Sequence, residues 1–208
     1  MSLVKVAHLL SAHEMEADLG GAIVGRHIIV LNRVGSTNDA LLEIAMPNFK
    51  EGLVLFAEHQ TSGRGQRGNR WESAAGKGLW FSVLLRPRIE LNKSSRLTTW
   101  ATEAIAGAIR SEFPLEPTIK LPNDVQVHGR KIAGVLVEMR AQEKAAHLAI
   151  VGIGINVNHA IEDFSIELRD RAISLAIALD RQIDRQRFAV TVLRDLNRLY
   201  TEMFGVSI

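Results

Sequence analysis

One stretch constrains the fold of this chain more than any other. Residues 58–71 read EHQTSGRGQRGNRW and interleave Gly63, Gly65 and Gly68 with Arg64, Arg67 and Arg70. An apolar run ends at its start (residues 52–58, GLVLFAE), and another begins soon after it (residues 79–85, LWFSVLL). Two core strands must therefore be joined by a loop rich in backbone donors and guanidinium groups. Glycine lets the main chain approach a ligand closely, and arginine presents a planar fork of donors suited to phosphate or carboxylate. Glycine-arginine strings also occur as flexible, solvated tracts. Here Trp71, Trp80 and the two apolar runs bracket the loop, which favours an anion-binding connection within a core.

The 208 residues suffice for one domain with a substantial core. With no linker, repeat or low-complexity segment, residues 1–208 read as a single domain. The formal net charge is only +2, although the pI is about 9.1. That balance is too mild for nucleic-acid binding by the surface as a whole. Cysteine is absent, which excludes disulfides, a thiol nucleophile and cysteine-based metal sites. No apolar run approaches the roughly 20 residues that span a bilayer, and the N-terminus lacks the pattern of a secretory signal. The expected location is cytoplasmic, with no membrane partner.

The chain in order predicts a helix around residues 6–19, ended by Gly20-Gly21, and a buried strand at residues 27–34 (HIIVLNRV). Ser36 or Thr37 can cap the next helix, which Pro47 stops after about Ala45. Past the glycine loop and its following strand, Ser94 is placed to cap a long helix to Glu112, with Leu97, Trp100, Ala104 and Ile105 on its apolar stripe. Residues 118–139 (TIKLPNDVQVHGRKIAGVLVEM) read as a short strand, a turn at Asn123-Asp124, a hairpin at His128-Gly129 and a strand opened by Lys131. A further hairpin at residues 141–144 leads to a strand at residues 147–158. There Gly152 and Gly154 signal either a bulge or bend, or something lying close against the backbone. Helices at residues 171–179 and 184–204 finish the chain, the second with Asp184 as N-cap. Hairpins mixed with segregated helices give an α+β class with a mixed β-sheet.

Four stretches, in this order, resemble the catalytic domain of biotin protein ligases: GSTN (residues 35–38), QTSGRGQRGNRW (residues 60–71), KLPNDVQVHGRKIAG (residues 120–134) and GIGIN (residues 152–156). The resemblance covers about residues 30–158. It implies a fold related to class II aminoacyl-tRNA synthetases and a two-step ligase reaction. Biotin is activated by ATP as biotinyl-5′-AMP, then passed to a lysine of a biotin carboxyl carrier domain of acetyl-CoA carboxylase or a related carboxylase. Both nucleophiles belong to substrates, so the protein has to position reactants and neutralise charge.

By this resemblance Ser36, Thr37, Asn38 and Gln60 line the biotin side, and Arg64, Gly65 and Gln66 belong to a loop that closes over biotin and the adenylate. Lys131 stands between the biotin carboxylate and the phosphate, and Gly134, Gly152 and Gly154 let the backbone lie against the ligand. Arg67, Trp71, Asn123 and Asn156 fall on the nucleotide side. Catalytic roles go to Lys131, Arg64 and Asp124, the last either orienting Mg²⁺ or helping to deprotonate the acceptor lysine. Leu121 stands where the family usually has tryptophan, and Gln66 and Asn69 where some members have arginine. No helix-turn-helix domain is expected before the core and no small β-barrel after Phe204; a homodimer is an allowed assembly. Two alternatives remain at this stage: a lipoate or octanoate ligase of the same fold, and a non-enzymatic nucleic-acid-binding module built on the Arg-Gly loop.

Overall fold

A computed structural model describes residues 9–44, 51–142 and 146–205. Helix α1 (Ala12–Leu19) is capped by the Ser11 hydroxyl, which accepts from the Glu14 amide, and ends at Gly20 with φ 60°. β1 (His27–Leu31), α2 (Thr37–Ile44), β2 (Leu53–Ala57), the glycine loop and β3 (Gly78–Leu85) follow. Next come α3 (Ser95–Glu112), β4 (Thr118–Lys120), β5 (Asp124–Val127), β6 (Arg130–Arg140) and β7 (Leu148–Asn156). α4 (Leu175–Leu179) precedes α5 (Arg185–Phe204), where the Asp184 carboxylate accepts from the Arg187 amide.

The strands form one seven-stranded sheet in the order β1-β2-β3-β7-β6-β5-β4. β1 and β2 are parallel, which the crossover through α2 makes possible; every other neighbouring pair is antiparallel. Period-2 alternation then divides the side chains between two faces. Phe56, Phe81, Val83, Val151 and Ile153 pack into the large cluster with α3 and α5, which contribute Leu97, Trp100, Ile105, Phe188, Val192 and Leu196. Trp100 is wholly buried and donates its Nε1 hydrogen to the Leu196 carbonyl at 2.9 Å. On the opposite face a smaller cluster joins Leu41 of α2 to Leu53, Leu55, Leu84, Leu148 and Ile150. Beyond that cluster the same face carries Ser82, Gly134, Gly152 and Gly154, and there it forms the floor of a cleft.

Several expected boundaries shift. α1 starts at Ala12 rather than at residue 6 because Ser11 supplies the cap; residues 1–8 lie outside the described part, as do Ala45 and Pro47. β1 stops at Leu31, and Val34 makes only an isolated bridge to Gln60 as the chain turns toward the glycine loop. Ser94 stands at the N-cap of α3 without a side-chain capping bond. The turn expected at Asn123-Asp124 falls at residues 121–123, since Asp124 already pairs with Lys120. His128 and Gly129 form the predicted hairpin turn, with φ of 51° and 72°. The 141–144 hairpin lies partly outside the described residues, but its flanks pair, Arg140 with Leu148. The helix expected from Arg171 begins only at Leu175. Residues 171–173 instead run beside Lys131, whose amide donates to Arg171 O at 2.8 Å and whose carbonyl accepts from the Ile173 amide at 2.9 Å.

Candidate active site

The floor of the cleft is set by sheet register. Trp80 of β3, Gly154 of β7, Gly134 of β6 and Asp124 of β5 form one row across four strands; Ser82, Gly152 and Leu136 form the next. β7 keeps unbroken register with both neighbours, so its glycines mark neither a bulge nor a bend. They make room for side chains. A Cβ on Gly154 would stand 2.5 Å from the Trp71 indole, and one on Gly134 2.8 Å from the same ring. A Cβ on Gly152 would collide with the Asn38 carboxamide. Trp71 thus lies over the first row, edge-on to Trp80 at 6.1 Å between centroids, and Asn38 lies over the second. Protein side chains therefore cover part of these glycines.

Lys131 reaches this face because of an irregularity. Strict alternation would send it to the same side as Ala133 and Val135, into the large core. Pairing jumps, however, from Val125–Ala133 to Gln126–Lys131, leaving Ile132 as an extra residue in β6. A bulge of this kind re-aims the adjacent side chain. The ammonium then sits 2.6 Å from Asp124 Oδ1 and 5.2 Å from the centroid of the Trp71 ring.

A polar network fixes the other end. The Thr37 amide and hydroxyl donate to Gln60 Oε1 at 2.8 and 3.0 Å, and Gln60 Nε2 donates to Ser73 Oγ at 3.0 Å. Ser82 donates to Asn38 Oδ1 at 2.6 Å, and Asn38 Nδ2 to Glu138 Oε2 at 2.7 Å. Arg64 forks onto Glu138 at 3.0 and 2.7 Å and also meets Asp39 Oδ1 at 2.7 Å. Burial opposes ionisation of Glu138, but the bonds from Asn38 and Arg64 outweigh it and hold the carboxyl below its ordinary range. The same bond to Glu138 raises the Arg64 guanidinium above its usual value.

The glycine loop is a hydrogen-bonded hairpin. Gly65 N donates to Asn69 O at 2.7 Å, Asn69 N to Gln66 O at 3.1 Å and Trp71 N to Gly63 O at 2.9 Å. At its tip Arg67 adopts φ 58°, a left-handed conformation that costs a non-glycine residue on the order of 1 kcal/mol.

The structure gathers Ser36, Thr37, Asn38, Gln60, Arg64, Gly65, Gln66 and Arg67 on one side of the cleft, with Trp71, Asn123, Asp124, Lys131, Gly134, Gly152 and Gly154 around the rest. Asn123 contributes structurally as well, donating its amide to Val135 O at 3.0 Å. Asn156 does not line the cleft: it is buried, and its Nδ2 donates to Ile173 O at 3.2 Å. Sequence reasoning missed Glu138, Ser82, Ser73 and Asp39. Even spacing from Gly134 along β6 would have put Glu138 on the glycine face. Among the described residues neither histidine nor cysteine lines the cleft, and none of them there resembles a nucleophile paired with an imidazole base. Its chemical resources are cations, amide donors and close backbone approach.

The Biotin/lipoate A/B protein ligase family matches residues 30–156 of the chain. The chain is 37% identical over 200 residues to the bifunctional ligase/repressor BirA of Bacillus spizizenii, covering 96% of this chain but 62% of that protein. It therefore spans about three fifths of that relative's length. Over 193 residues it is 33% identical to a biotin–[acetyl-CoA-carboxylase] ligase of Mycobacterium tuberculosis, covering 90% and 69% of the two chains. Among solved structures, the Aquifex aeolicus biotin protein ligase in complex with biotin and ATP superposes with a TM-score of 0.74 at 33% identity, covering 86% of this chain and 72% of that one.

Proposed function

The chain belongs to the biotin/lipoate A/B protein ligase family, and we propose that it activates biotin with ATP and transfers it to a lysine of a carboxyl carrier domain. The observation that carries this reading is Lys131, turned by the β6 bulge into a glycine-floored cleft that has neither histidine nor cysteine among its described lining residues. In the first step a biotin carboxylate oxygen bonds to the α-phosphorus of ATP as the α–β bridging bond breaks, and pyrophosphate leaves. In the second, the acceptor amine attacks the mixed-anhydride carbonyl; AMP leaves and a proton is lost from the nitrogen.

Each step needs alignment and charge neutralisation more than covalent help from the protein. Ser36, Thr37, Asn38 and Gln60 form the polar wall on the biotin side, the last two oriented by Ser82, Glu138 and Ser73. Lys131 supplies a compact cation toward the reacting carboxylate and α-phosphate, and Gln66 offers an amide donor from the loop beside Gly65. Trp71, Arg67 and Asn123 border the nucleotide side. Asn156 follows Gly154 on the same face of β7 and acts indirectly, by holding the Ile173 carbonyl. Asp124 steadies the Lys131 ammonium.

The described residues offer no preformed magnesium cage. No group of three potential ligand side chains is present among them, and Asp124 is engaged by Lys131. Magnesium fits here as part of the MgATP substrate, since it is usually held through phosphates with few protein ligands.

The sequence relatives named above are biotin ligases or a ligase/repressor, which supports biotin over lipoate within the family. The test is mass spectrometry of a carrier domain incubated with the protein, MgATP and biotin. A single biotin added only when ATP is present is expected. Modification by lipoate and not by biotin would replace this reading with that of a lipoate ligase.

A further inference from the structure

Four cationic side chains line the cleft: Arg64, Arg67, Arg70 and Lys131. Two of them are already neutralised within the protein. Arg64 is gripped by both Glu138 and Asp39, and Lys131 by Asp124. To meet a phosphate, Arg64 would have to leave two carboxylates, one of them also bonded to Asn38. Arg67 and Arg70, by contrast, make no ion pair among the described residues. Arg70 donates only to a neutral acceptor, the Thr61 carbonyl, at 3.2 Å.

Backbone geometry singles out Arg70 of the two. It is the bridge partner of Arg64 across the hairpin, and the next residue, Trp71, is bonded back to Gly63 O. Its main chain is therefore pinned on both sides, whereas Arg67 sits at the tip. A side chain on a fixed backbone gives up less freedom when it binds. Opposed like charges across a hairpin also repel. Glu138 and Asp39 relieve that repulsion on the Arg64 side and leave Arg70 as the charge an incoming anion would neutralise.

We infer that Arg70 is a binding residue for the nucleotide's phosphates, seconded by Arg67, while Arg64 with Glu138 and Asp39 is the strut that positions it. This rests on the reading of the cleft as a nucleotide-activating site. It shifts the direct anion contact from Arg64 to Arg70, which the sequence offered only as one of three loop arginines suited to an anion.

Arg70→Gln removes the charge and keeps an amide donor; Arg70→Lys keeps the charge and loses the fork. ATP, inorganic pyrophosphate and biotin are titrated separately into the unmutated protein and each variant by calorimetry. Loss of one charge-assisted contact should weaken ATP and pyrophosphate by about tenfold or more in Arg70→Gln. Arg70→Lys should recover part of that loss, and biotin affinity should not follow it. A strut behaves differently: Arg64→Gln should weaken biotin and ATP together and lower the melting temperature. Wild-type ATP affinity in Arg70→Gln overturns the assignment. So does an equal loss of biotin affinity in that variant, since Arg70 would then act only through the hairpin, and so does failure of the unmutated protein to bind either phosphate ligand. Biotin-dependent pyrophosphate exchange by the unmutated protein is recorded alongside. Its absence would refute the proposed function, while the titrations still decide Arg70.

Discussion

Both the direction and the charge of Lys131 depend on particular neighbours. The extra residue at Ile132 turns it out of the core, and Asp124 and Trp71 hold the ammonium over the floor. If it stabilises charge building on the phosphate, Lys131→Ala should slow biotin adenylation by roughly 10²-fold, as for loss of one preorganised electrostatic donor. Melting temperature should change little, since the ammonium lies at the cleft and not in the core. Adenylation at the wild-type rate in single-turnover measurements would contradict the role. Gly154 gives a steric counterpart. Its replacement by alanine puts a methyl group against the Trp71 indole, and the ring, only partly buried, yields more easily than the strand. Trp71 should then move into water. A red-shifted emission and ATP affinity lower by about tenfold are expected, from an overpacking cost of a kcal/mol or more. Unchanged emission would mean that the ring does not rest on this glycine in solution.

At the scale of elements, the hairpin of the glycine loop carries the prediction. Its two sides are bonded to each other, but the tip at Arg67 is exposed, so opening there should cost little compared with global unfolding. Trypsin should cut after Arg67 in the free protein, and biotin with MgATP should suppress the cut severalfold by closing the loop on its ligand. Equal cleavage rates with and without ligands would argue against closure. The major elements were legible in the sequence: α3 and α5 from their apolar stripes, α5 also from Asp184, and the β5–β6 turn from His128-Gly129. Other features were hidden because they depend on partners distant in the chain. The β6 bulge exists only relative to β5. Residues 171–173 looked helical until Lys131 offered a strand edge. Glu138 looked like an ordinary strand carboxylate until Asn38 and Arg64 converged on it from 100 and 74 residues away.

Across the whole molecule, the sheet separates two environments, a continuous core under α3 and α5 and a polar cleft beside α2. Glu58 and Arg185 tie the layers together through a buried ion pair at 2.8 Å. His159 sits at the end of β7, 2% exposed and stacked on Phe164 with centroids 4.9 Å apart. Burial pushes its imidazole from 6.5 down to about 4. As pH falls, the unfolded chain therefore takes up this proton first, and stability is lost between those two values, by roughly 3 kcal/mol in total. Urea midpoints of the wild type and His159→Leu should diverge in slope through that window and run parallel below it. Parallel behaviour throughout would mean that the ring is hydrated. Residues from all four sequence motifs line one cleft, with Asn156 buried outside it, and the proposed reaction joins biotin to AMP there. The most direct measurement is exchange of labelled pyrophosphate into ATP by the purified protein with and without biotin. Exchange that requires biotin, and that lipoate does not replace, is the predicted result; exchange absent with biotin, or equal without it, would contradict the account.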